Sequence, residues 1–213
     1  MSTIAAIRKD YQQHTLTEKD VSQDPLQQFG QWWDDAIKSE IDEVNAMTLA
    51  TVKSDGTPSA RIVLLKGFDE RGFTFYTNYN SNKGKELDEG KKACLVFFWK
   101  ELERQIRITG ITERVSEKES DAYFNSRPEA SKIGAWSSPQ SLPIFNRDVI
   151  EENVVKFKEQ FSNDPIPRPP HWGGYIVKPT TVEFWQGRPS RLHDRILYTL
   201  QEDGGWKIER LAP

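Results

Sequence analysis

From Ala46 onward the chain is written mainly in short runs of β-branched and aromatic residues, punctuated by turn signals. Ala46–Val52 and Arg61–Leu65 flank Ser54-Asp55-Gly56-Thr57, and Asp-Gly between two apolar runs is a strong hairpin signal. Gly72–Thr77 follows a second turn. Ala93–Trp99, Gln105–Val115, Gly174–Val177, Thr181–Trp185, Ile196–Gln201 and Trp206–Leu211 read as further strands. They come in hairpin order and do not alternate with helices. The favoured architecture is therefore mainly β with α (α+β), an antiparallel barrel with helices packed outside it. A doubly wound parallel sheet is the weaker alternative.

Three helices stand out. Asp24-Pro25-Leu26-Gln27 marks a helix start: Asp caps, Pro fits the first turn, and Gln27 is placed to close a capping box. Leu26, Phe29, Trp33 and Ile37 then follow at helical spacing and define an expected buried face. Ser116-x-x-Glu119 opens a short helix through Phe124, and Asp148–Phe161 reads as another. Residues 1–20 are expected to form a mobile N-terminal segment, residues 21–213 a single domain, and the Pro-rich Asp164–Pro170 a connecting loop.

A length of 213 residues suits one domain with a real core. The net charge of −3 argues against general nucleic-acid binding, which needs a basic surface. The longest apolar run, Ala93–Trp99, is far too short to span a bilayer. The first ten residues lack the apolar stretch of a secretory signal, so a cytoplasmic location is the expectation. Cys94 is the lone cysteine and sits inside an apolar run, which reads as a buried, inert thiol.

Phosphate-loop, dinucleotide and nucleophile-elbow motifs are absent. His14, His171 and His193 show no metal-ligand spacing, so no metal is expected. What remains is a set of cations beside strand ends and aromatics. Arg61 and Lys66 bracket four apolar residues, and strict alternation puts them on opposite faces. By pattern alone, an ordinary buried strand with charged ends is the favoured reading. Phe75-Tyr76-Thr77-Asn78 leads through Ser81 to Lys83-Gly84-Lys85, where a helix start would suit a phosphate. A plain strand–helix junction fits equally. Tyr123, Arg127 and Ser131 are spaced four and four, which on one helix would line up a phosphate grip, although Pro128 interrupts it. Arg191 and His193 point to one side of an extended segment, and Gln105 and Arg107 share a strand face.

The order of these features resembles the pyridoxine (pyridoxamine) 5′-phosphate oxidase family. The likeness runs through Arg61 to Lys66-Gly67, Gly72-Phe73-x-Phe75-Tyr76-Thr77-Asn78 and Ser81-x-Lys83-Gly84. It continues through Tyr123-x-x-x-Arg127-Pro128, Ser137-x-x-Gln140-Ser141, Trp172-Gly173-Gly174-Tyr175 and Phe184-Trp185-Gln186-Gly187. Arg191-Leu192-His193-Asp194-Arg195 and the ending Arg210-Leu211-Ala212-Pro213 complete it. The resemblance implies an FMN-binding split β-barrel that works as a homodimer with flavin at the interface, so that two chains line each site. It implies oxidation of pyridoxamine or pyridoxine 5′-phosphate by O2 to pyridoxal 5′-phosphate, with release of H2O2, and of ammonia from the amine.

Residue by residue, the resemblance assigns FMN to Arg61, Ile62, Val63, Leu64, Leu65, Lys66, Tyr76, Thr77, Lys83 and Gln105, completed by Gln140, Ser141, Trp185 and Arg195. Lys66, Tyr123, Arg127 and Ser131 would hold the substrate phosphate. Arg191 and His193 would sit over the pyridine ring, and Arg8 and Tyr11 match an N-terminal segment that covers the substrate. Asn82 stands at an FMN-binding position where the family has Arg, which implies weaker flavin retention.

Overall fold

The computed structural model describes residues 3–6 and 10–213; Arg8 lies outside the described residues. After a short 3-10 turn at Thr3–Ala6, the elements are α1 (Pro25–Lys38), β1 (Ala46–Val52), β2 (Pro58–Leu64), β3 (Gly67–Asp69), β4 (Gly72–Asn78), α2 (Asn82–Gly90), β5 (Lys92–Trp99) and β6 (Arg104–Arg114). There follow α3 (Glu117–Ser126), α4 (Glu129–Ser137), α5 (Asp148–Gln160), β7 (Trp172–Gln186), β8 (Asp194–Leu200) and β9 (Trp206–Arg210).

All strand pairs are antiparallel, in the order β2-β1-β5-β6-β7-β4-β3, with β8 on β7 and β9 on β8. The sheet curls into a split barrel, and Leu65 and Lys66 bridge the split. The Leu65 N–H donates to Asn45 O beside β1 at 2.8 Å, and the Lys66 N–H donates to Thr74 O of β4 at 2.9 Å. The chain thus steps from one edge of the sheet to the other within two residues.

Local signals act as expected at several points. Gly56 takes φ 84° in the β1–β2 turn, and Asp55 accepts from the Thr57 N–H. Ser116 and Glu119 close a reciprocal capping box on α3. Asp24 caps α1 through the N–H groups of Leu26 and Gln27. Gln27, however, does not complete a box; its side-chain oxygen accepts from the Ser22 hydroxyl at 3.0 Å.

Three further expectations are corrected. The buried face of α1 is Pro25, Gln28, Phe29, Trp32 and Ala36, while Ile37 is 51% exposed. The apolar residues of α1 form two overlapping stripes, and the barrel takes the one that carries Trp32. Leu26 and Trp33 flank it, partly buried. The two strands expected at Gly174–Val177 and Thr181–Trp185 are one, β7. Pro179 is accommodated where the β6–β7 register shifts, opposite Gly110. A strand tolerates Pro at such an irregularity because no ladder N–H is needed there. Cys94 is not fully buried. It lies on the outward face of β5, whose inward residues are Ala93, Leu95, Phe97 and Trp99.

Phe29 is the hub of the core. It is fully buried, and its ring meets Phe68 and Phe73, each at 4.8 Å, and Phe97 at 5.3 Å. Phe29→Ala should therefore cost about 3–5 kcal/mol, whereas Ile37→Ala should stay within about 0.5 kcal/mol. Denaturant unfolding of both variants checks which stripe of α1 faces the core.

Candidate active site

At the seam of the barrel, the end of β2 and the Leu65–Lys66 bridge face the end of β4. Ile62, Val63, Leu64 and Lys66 line one wall of a cavity of about 460 Å³, and Tyr76, Thr77 and Asn78 line the next. Lys83 from the first turn of α2, Tyr123 from α3, and Arg127, Ser131 and Gln140 close it. Leu65 is buried in the core instead, and Asn82 is exposed at the start of α2.

The ring stack is made possible by glycine. β4 and β7 pair Tyr76 with Gly174 and Thr77 with Gly173. A Cβ at Gly174 would sit 2.8 Å from the Tyr76 ring, and one at Gly173 would sit 2.0 Å from the Tyr79 oxygen. With both absent, Tyr76 lies against Tyr123 at 4.0 Å and Trp172 at 5.5 Å, the planes within 21° and 12°. Trp172, which the sequence offers only within a Trp-Gly-Gly run, is a full member of the site; its register partner is Asn78.

Tyr123, Arg127 and Ser131 are not on one helix. Pro128 ends the series, so Arg127 caps the C-terminus of α3 and Ser131 belongs to α4. The break still turns all three into the same cavity. The Arg127 guanidinium lies 4.5 Å over the Trp172 ring and 5.6 Å over Phe124. Its Nη1 is buried and has no hydrogen-bond partner among the described residues. Burial pulls the Arg127 pKa down, yet a guanidinium keeps its proton. A buried N–H without an acceptor is costly, and an anion with several oxygens would satisfy it.

A second cationic corner lies beside the first. Arg61 is turned away from the cavity wall. It pairs with the buried Glu86 at 3.0 Å and donates to Thr51 and Ser59. Glu86, three residues after Lys83 on α2, gave no sequence signal beyond that spacing. Burial first, and then the nearby Arg61, lower the Lys83 pKa, while Glu86 opposes the shift.

The remaining predicted residues gather elsewhere. Gln105, Trp185 and Arg195 are cross-strand neighbours on β6, β7 and β8. Arg195 pairs with the buried Glu183 at 2.8 Å and donates to Ala212 O. Trp185 lies 4.5 Å from the His193 ring, and Tyr11 meets both rings edge-on, at 5.7 Å and 6.0 Å. Arg191 is exposed, in the left-handed region at φ 62°. Ser141 is also exposed, at φ 71° beside Gln140. Within one chain these groups do not line the seam cavity. Gly173 and Trp185 stand near opposite ends of β7, about 40 Å apart along the strand.

The tautomer of His193 is fixed by its neighbour. The backbone N–H of Arg188 donates to Nδ1 at 3.1 Å, so the neutral ring carries its proton on Nε2 and presents a donor. Desolvation, and then the charge of Arg191, hold the His193 pKa below the ordinary histidine value. The ring thus resists protonation in the fold. Its contribution to stability is complete above the ordinary value and declines as pH falls below it. An NMR titration should place the His193 midpoint below that of a free histidine, and Arg191→Met should move it back up.

Comparison with known proteins agrees with this geometry. Residues 33–161 match the family model described as pyridoxamine 5′-phosphate oxidase. Residues 172–213 match that of the pyridoxine 5′-phosphate oxidase C-terminal dimerisation region. A pyridoxine/pyridoxamine 5′-phosphate oxidase from Ralstonia nicotianae is 58% identical over 213 residues, covering 100% of both chains. One from Nostoc punctiforme is 57% identical over 99% of each. Among solved structures, PhzG from Burkholderia lata, in complex with tetrahydrophenazine-1-carboxylic acid, superposes with a TM-score of 0.87 at 30% identity. That match covers 93% of this chain and 98% of the other. An FMN-binding protein from Nostoc punctiforme shares the fold, with a TM-score of 0.72 at 20% identity over 91% and 100% of the two chains. Seam cavity, split barrel and full-length identity together establish that this chain belongs to the pyridoxamine 5′-phosphate oxidase family.

Proposed function

We propose that this protein is an FMN-dependent oxidase that converts pyridoxamine 5′-phosphate or pyridoxine 5′-phosphate to pyridoxal 5′-phosphate. O2 is the acceptor, H2O2 is released, and the amine substrate also yields ammonia. The observation that carries this reading is the buried, unpartnered Nη1 of Arg127 beside Lys66, Tyr123 and Ser131. Charge-assisted hydrogen bonds from guanidinium and ammonium groups to phosphate oxygens are strong, and a phosphate monoester offers enough acceptors for all four groups.

The cavity also fits a flavin. The desolvated Lys83 at the start of α2, with Arg61 close by, suits the FMN phosphate. The mixed donors and acceptors of Gln105 and Gln140 suit the edge of the flavin ring. Bound FMN would supply two-electron oxidation of the substrate carbon and return of those electrons to O2. The protein's part is positioning. The phosphate grip fixes one end of the substrate, which converts a chance encounter into a held geometry. Arg191 orients the ring and balances developing charge, and the Nε2–H of His193 donates to a ring substituent.

Both halves of the site are needed, and one chain keeps them at opposite ends of β7. We therefore take the working unit to be a homodimer with FMN at the interface, in which the partner's Arg191–His193 loop completes the seam cavity. Tyr11 of the N-terminal segment serves as its cover.

Purified protein with added FMN should form aldehyde from pyridoxamine 5′-phosphate over many turnovers in air, but no more than about one per flavin without oxygen. No product in either condition would remove the oxidase reading. Asn82 offers a second check. An arginine there would add a charge-assisted contact of about 1.5–3 kcal/mol, so Asn82→Arg should tighten FMN binding roughly 10-fold or more. An unchanged dissociation constant would show that the position does not reach the phosphate.

A further inference from the structure

Glu103 sits in the β5–β6 turn with φ 54° and is 2% exposed. A buried carboxylate is unfavourable unless its oxygens are satisfied. Here Oε2 accepts the backbone N–H groups of Gln12 at 2.8 Å and Gln13 at 3.2 Å, ninety residues away in sequence. Its own carbonyl accepts the Gly187 N–H at 2.7 Å and the Gln186 side-chain amide at 3.2 Å. Gln186 is fully buried and also accepts from Arg104, which pairs with Asp35 on α1. Glu103 thus ties three pieces together: the N-terminal segment, the end of β7, and the framework below them.

Its position relative to Tyr11 is what gives this a functional meaning. Gln12 follows Tyr11 directly, so the Glu103 bonds fix the peptide on which the Tyr11 ring is carried. That ring packs on Gly187, where a Cβ would lie 2.7 Å from Tyr11 Cγ, and it meets Trp185 and His193 edge-on. A second anchor lies further along, where Asp194 accepts the Leu16 N–H and Arg210 reaches Leu16 O. That anchor is five residues from Tyr11, whereas the Glu103 bonds fall on the peptide next to it. We propose that Glu103 is a positioning residue for the active site: it clasps the N-terminal segment so that Tyr11 covers the Trp185–His193 face, against which the substrate ring is held. The role rests on the function proposed above. It adds a residue that touches neither substrate nor flavin.

The test compares Glu103→Ala, Glu103→Gln, Tyr11→Ala and the Glu103→Ala/Tyr11→Ala double variant with the full-length, FMN-loaded protein. Both substitutions at Glu103 keep a Cβ, so backbone strain at φ 54° is unchanged. In Glu103→Ala, amide hydrogen exchange at Gln12 and Gln13 should speed up about 10-fold or more while β6 and β7 amides keep their protection. Glu103→Gln, which retains an acceptor oxygen, should recover most of the protection. KM for pyridoxamine 5′-phosphate should rise several-fold in Glu103→Ala with kcat within about two-fold, and the double variant should be no worse than Tyr11→Ala alone. Unchanged exchange at Gln12 and Gln13, loss of protection throughout β6 and β7, or additive KM effects would each overturn the proposal. If no variant and no wild type turns over, the proposed function fails, while the exchange comparison still decides whether Glu103 holds the segment.

Discussion

β7 pairs with β6 from Tyr175 to Gln186 and offers its other edge first to β4 and then to β8. A fifteen-residue strand with three partners sets the size of the barrel and also separates what can happen at its two ends. At the Trp172 end, paired glycines let aromatic rings lie flat on the strand, and the seam cavity opens beside them. At the Gln186 end, the strand delivers Trp185 and the loop that carries Arg191 and His193. The pairing depends on one accommodation, the register shift at Thr109/Gly110 that admits Pro179. A side chain at Gly110 would meet Lys178 O at 2.1 Å, so the strand stays continuous only because that position is bare.

Charge is handled differently in the two regions. Away from the seam, buried ions are matched: Glu183 lies between Arg107 and Arg195, and Arg104 between Asp35 and Gln186. In the seam cavity Arg127 keeps a buried nitrogen without a partner among the described residues, and Lys83 is desolvated beside a second cation. Arg61 is paired with Glu86 even here, so it is the Arg127 nitrogen that suits an anion arriving from outside.

Much of the fold was legible where its cause was local, although Gln27 bonds to Ser22 and closes no capping box. The Asp55-Gly56 turn, the Asp24 cap and the Ser116–Glu119 box each act within four residues, and all were readable from the chain. The buried face of α1 was not, because Trp32 and Trp33 offer two stripes and only the barrel decides between them. Pro179 made β7 look like two strands, since its tolerance depends on a bulge in a neighbour sixty-nine residues away. The site divides in the same way. The family likeness named most of the seam residues, including Tyr123, Arg127 and Ser131 across a helix break. It carried Trp172 in a motif without a role and did not mark Glu86 or Glu103, whose roles arise from register and burial.

The proposed dependence of the site on two chains is tested most directly by subunit mixing. Arg127→Met damages only the seam cavity, and Arg191→Met only the loop at the far end of β7. Each homodimer should be nearly inactive. After dissociation and random reassociation of an equal mixture, half the dimers are hybrids, and each hybrid contains one site with both arginines intact, so activity should return to about a quarter of wild type. Return of that activity is the expected result. A mixture as inactive as its parents would mean that Arg127 and Arg191 act within one chain, and the two-ended arrangement of the site would be wrong.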